Sequence, residues 1–104
     1  MIEPGERFAV EYGNNRQVEV ICLAGGKLGR LVRLLSDIQA SEANNKTVEA
    51  FEDYTPNALA ICLGDEYVAK TMWEESLDME SAMQIIQATI AKQALSEDEL
   101  GKSE

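Results

Sequence analysis

"QVEVICLAGGKLGRLVRLLSDI", residues 17–38, changes its period halfway, and that change decides the fold. Before the glycines, Val18, Val20 and Cys22 recur at a spacing of two, the repeat of a strand with one buried face. Beyond them, Leu28, Leu31, Val32, Leu35 and Ile38 recur at three and four residues, which makes one stripe on a helix. A strand therefore hands over to a helix at Gly25, Gly26 and Gly29, whose expected use is to supply unusual backbone angles at the strand exit. Upstream, Phe8, Val10 and Tyr12 in "RFAVEY" alternate in the same way, and "GNNR" between the two runs is turn chemistry, so the N-terminal segment predicts a β-hairpin.

Downstream the pattern stays helical. The first helix should end near "SEANN", and "KTVEAFEDY" predicts a short helix closed by Thr55 and Pro56, a pair suited to the cap and first position of the next segment. "NALAICLGDEYVAKTMWEES", residues 57–76, reads as helix with Gly64 as its candidate break. Asp78 can cap a last helix, on which Met79, Met83, Ile86 and Ile90 share a face with Ala82. The predicted fold class is α+β, mostly α: an N-terminal β-hairpin (1–24) followed by three to four packed helices (25–95), in a single small domain. Residues 96–104, "SEDELGKSE", are expected to form a disordered acidic tail.

The formal net charge is -10, and it is unevenly spread. Up to Leu35, Arg7, Arg16, Lys27, Arg30 and Arg33 face four glutamates, whereas the remainder holds four basic and fifteen acidic residues. Such a surface repels nucleic acid and anionic membrane and favours solubility or a cationic partner. No apolar run reaches the roughly 18 to 20 residues of a membrane span. "MIEPGERF" lacks the basic start and apolar stretch of a secretion signal, so a cytoplasmic protein is expected.

Catalytic patterns are missing from the sequence. Lys27 follows Gly26 and precedes Leu28, which satisfies neither the phosphate-binding P-loop nor the dinucleotide fingerprint. There is no histidine, the commonest general base and zinc ligand, and Cys22 and Cys62 stand apart among aliphatics, as buried thiols do. The paired acids at 65–66 and 74–75 diverge by about 100° on a helix. The expectation is a protein that is not an enzyme and needs no cofactor or metal.

Binding is what remains. Met72, Trp73, Met79 and Met83 cluster within twelve residues, and methionine adapts to varied apolar partners while tryptophan concentrates at interface hot spots. The same spacing also suits a core.

The order of parts, a short hairpin, then "GKLGRLVRLLSDI", a middle helix, and "EESLDMESAMQIIQATI", resembles the tail-assembly chaperones of long-tailed bacteriophages over residues 17 to 94. That family carries a basic-x-Leu helix and a late Ser-Leu-Asp turn before a final helix rich in Ala and Ile. The resemblance implies a small helical protein of the host cytoplasm that coats the tape-measure protein during tail morphogenesis, keeps it soluble and helps recruit tail-tube subunits. On this reading Met72, Trp73, Met79, Met83 and Ile86 contact the client or another copy, and Lys27, Arg30 and Arg33 pair with acidic surfaces of neighbouring copies in a homo-oligomer. The short hairpin and the acidic tail depart from the family pattern. Two alternatives stand beside it: an acidic nucleic-acid mimic that inhibits a host protein, using the acids from Glu42 to Glu80, and a structural component of a particle.

Overall fold

Where the period is two, the chain forms strands. The computed structural model describes residues 3–45 and 47–102, except for the side chains of 47 and 94–102. Strands β1 (Arg7–Tyr12) and β2 (Arg16–Ile21) pair antiparallel, with Phe8 opposite Val20 and Val10 opposite Val18. Val10, Tyr12, Val20 and Cys22 are buried, while Arg7, Glu11 and Glu19 face out. The connecting turn needs left-handed backbone at Gly13 (φ 58°) and Asn15 (φ 62°), the two residue types that adopt it at least cost.

Helix α1 (Gly25–Ala43) begins at the glycines, as the change of period predicts. The glycines themselves differ from expectation: Gly25, Gly26 and Gly29 all lie within the helix, none has a left-handed φ, and each has open space where a Cβ would stand. They therefore serve neither a strained turn nor a close approach. Leu31 and Ile38 are sealed, with Leu28, Leu34 and Leu35 half-buried beside them. Val32 leaves the predicted stripe and is 43% exposed, because it lies about 100° round the helix from Leu31 and the neighbours of α1 cover a narrower arc.

The predicted boundary at Thr55 and Pro56 does not occur. Helix α2 (Thr47–Glu49), a π-helical turn (Ala50–Tyr54) and α3 (Thr55–Leu63) form one run. Thr55 has helical angles, its N–H donates to the Ala50 carbonyl, and its buried hydroxyl donates to the Met79 sulfur at 3.7 Å instead of capping. Pro56 lacks an N–H and its ring crowds the carbonyl four residues back. The wider π turn just before it makes that room and lets the helix continue.

Gly64, at φ 70°, ends α3 in the left-handed conformation with its N–H on the Ala60 carbonyl at 2.9 Å. Asp65 then caps α4 (Glu66–Glu75), its carboxylate accepting from the N–H groups of Tyr67 and Val68 at 2.9 and 3.1 Å. Asp78 caps α5 (Met79–Lys102) as expected, accepting from the Ser81 N–H at 2.9 Å. Helix α5 includes residues 96–102 of the expected tail, and 103–104 lie outside the described residues.

The fold is thus α+β and mostly α, with α3 at its centre against α1, α4, α5 and β2. Leu59, Cys62, Ile85 and Ile86 form the middle of the core. Polar contacts pin the hairpin to α5, among them the Gly13 N–H to Gln84 Oε1 at 2.6 Å, Lys92 Nζ to the Ala9 carbonyl at 2.7 Å, and Gln93 Nε2 to the Leu23 carbonyl at 3.1 Å. Both cysteines are buried, as their aliphatic surroundings predict, and burial pushes the Cys62 thiol up to about 12, too high for a nucleophile at neutral pH.

Candidate binding groove

Helix α3 is apolar on nearly every side. Toward the core it presents Ala58, Leu59, Cys62 and Leu63, all buried. Its opposite face, Asn57, Ala60, Ile61 and Gly64, floors an open cleft of about 760 Å³. One wall comes from α1, with Lys27, Arg30 and Leu34. The strand exit at Ile21 and Leu23 closes one end. A second cleft, of about 440 Å³, continues along the same helix between Phe51 and Glu52 on one side and Lys70, Trp73 and Glu74 of α4 on the other. The two clefts share Asn57, Ala60 and Glu66, so they are lobes of one groove.

Trp73 is fixed in that groove. Its Nε1–H donates to the Phe51 carbonyl at 2.9 Å, and the two rings stack with centroids 5.9 Å apart and planes at 22°. Phe51 remains 43% exposed. The walls differ in charge: Lys27 and Arg30 stand exposed on α1, whereas Glu66 and Glu74 outnumber Lys70 on α4. A third cleft, of about 460 Å³, lies between the hairpin turn and the start of α5 and is polar throughout. There the Asp78 carboxyl is held below its ordinary range, first by hydrogen bonds from the Ser81 side chain and N–H and to a smaller degree by Arg16.

Three of the residues selected from the sequence meet in the groove: Lys27 and Arg30 on one wall and Trp73 on the other. Arg33 is exposed on α1 but lines none of these clefts. Met72, Met79 and Met83 are half-buried against the core and do not line them either. Ile86, expected at a contact surface, is fully sealed and cannot touch a partner in this fold. Its spacing with Met79, Met83 and Ile90 marks the face that α5 turns to the core. Sequence reasoning missed Leu34, Phe51, Ala60 and Ile61. For Ala60 and Ile61 the signal was "NALAICLG", a helical stretch with almost no polar face, which calls for cover on nearly all sides.

Among the described residues, no three His, Cys, Asp or Glu side chains gather to hold a metal ion, and no helix is long and apolar enough to cross a membrane. The chain matches no family model, no curated protein sequence and no solved structure.

Proposed function

We propose that this protein is a non-enzymatic chaperone that shields an apolar helical segment of a client, in the manner of a phage tail-assembly chaperone acting on its tape-measure protein. One observation carries the reading: α3 is apolar on nearly every side, is packed on its inner side, and stays only half-buried along Ala60 and Ile61, where an open cleft runs beside it. An isolated helix face of this kind finds its complement in another helix, and the surplus of carboxylates keeps the resulting complex soluble.

The test is co-expression with a tape-measure protein, followed by purification of the soluble complex and repetition with Ala60→Trp, which fills the groove from its floor. The wild-type complex should hold at about 0.5 M salt, where exposed charges are screened within a few ångströms. The variant, folded by circular dichroism, should leave the client insoluble. Equal client recovery with Ala60→Trp would end the proposal. A complex that falls apart as salt rises would favour the nucleic-acid mimic instead.

A further inference from the structure

The groove has a chemistry more specific than apolarity, and the occupant can be described from it. Its floor is a helix whose backbone groups are already paired, so it offers no edge to which a strand could add. A partner helix, whose backbone is likewise satisfied, suits such a floor. The outward residues at Ala60 and Gly64 are small enough for two helix axes to approach to about 8–10 Å. From Glu52 to Gly64 the floor extends for about 18 Å, some three helical turns.

Charge then selects among helices. The α1 wall carries Lys27 and Arg30, exposed and, among the described residues, without an ion pair. The facing wall, on α4, carries Glu66 and Glu74 with Lys70, and is acidic in balance. A second copy of this chain is disfavoured, since each copy has a net charge of -10. An anionic lipid surface is disfavoured by the acidic wall. What complements both walls is a helix with an apolar stripe between two edges of opposite sign.

We infer that the groove along α3 seats one amphipathic helix of a separate protein, about three turns long, with an acidic edge against Lys27 and Arg30 and a basic edge against Glu66 and Glu74. Its apolar stripe rests on Ala60 and Ile61 and ends against the Phe51–Trp73 stack. The inference rests on the chaperone reading and adds the charge pattern by which this site recognises its client segment.

The experiment uses the full chain and three hydrocarbon-stapled peptides of about fourteen residues, stapled because free helices of that length are marginal in water. All share one Leu/Ala stripe and lack tryptophan. One has glutamates along one edge and lysines along the other, one has glutamates on both edges, and one has lysines on both. Trp73, the single tryptophan of the chain, reports occupancy by fluorescence, and only signal abolished by Ala60→Trp 

in parallel calorimetric titrations is scored as groove binding. The mixed-edge peptide should bind at least about tenfold more tightly than either other peptide, even though the net charge of the protein favours the all-lysine one. In the Lys27→Glu/Arg30→Glu double variant, whose changes are confined to exposed side chains, both walls are acidic and the order should reverse in favour of the all-lysine peptide. Equal binding of the three peptides, or an unchanged order in the double variant, overturns the charge pattern and leaves the chaperone reading intact. If no peptide binds the groove, this inference fails, and the chaperone reading fails with it only if Ala60→Trp also leaves client capture untouched.

Discussion

The two faces of α3 are built from the same kinds of residue and meet different fates. Inward, Ala58, Leu59, Cys62 and Leu63 are closed over by α5 and the hairpin. Outward, Ala60 and Ile61 lie between α1 and α4, which pack against α3 from its sides and leave the strip between them open. Composition alone does not separate the faces. The difference teaches that the apolarity of a segment states how much cover it wants, while the spacing of its neighbours states whether its own chain supplies it.

The largest effect that could break the contrast is a truncation on each side. Leu59→Ala should lower stability by about 2–5 kcal/mol in urea unfolding, as for a fully sealed leucine, and Ile61→Ala should lower it by less than half as much while weakening client binding more. Equal losses of stability would mean that the outer face is as closed as the inner one. Gly64→Ala comes next. Its left-handed backbone costs an L-residue about 1–2 kcal/mol, offset in part by the gain of up to about 1 kcal/mol from a stiffer unfolded chain. The added Cβ itself meets Ile21 at an ordinary 3.5 Å, so a thermal melt should show a modest drop in Tm, and a loss as large as that of Leu59→Ala would point to a clash instead.

What could be read from the sequence was local. The hairpin, the start of α1, the break at Gly64 and the Asp78 cap each follow from the chemistry of a few consecutive residues. The pairing of Thr55 with Pro56 misled for the same reason: as a dipeptide it suits a helix start, yet a π turn ahead of it relieves the proline and keeps Thr55 buried inside a continuing run. The methionine stripe was ambiguous because periodicity gives the apolar face of α5 without saying what that face meets. Lys27 and Arg30 were visible as the flank of α1. Their place opposite Glu66 depends on how α1 and α4 settle against α3, a long-range outcome that no short stretch encodes.

The smallest expected effect concerns what holds α5 behind the inner face. Asp78 is exposed, and hydrogen bonds from Ser81 lower its carboxyl pKa in the folded chain. A depressed folded value means that the ionised cap stabilises the fold in full above the unfolded value, near 4, and that this contribution is lost as pH falls through the folded value. Asparagine can accept the same N–H bond but carries no charge for the helix N-terminus and does not titrate. The difference in Tm between the parent chain and Asp78→Asn should therefore be flat from pH 7 to about 5 and shrink below about 4 as the parent cap takes up its proton. Because Arg16 is the minor cause, added salt should reduce that difference only slightly. Client binding at pH 7 should not change, since Asp78 lies outside the groove along α3. A difference in Tm that instead grows as the solution is acidified would contradict the hydrogen-bonded carboxylate, and altered client binding at pH 7 would show that the inner support and the outer groove of α3 are coupled.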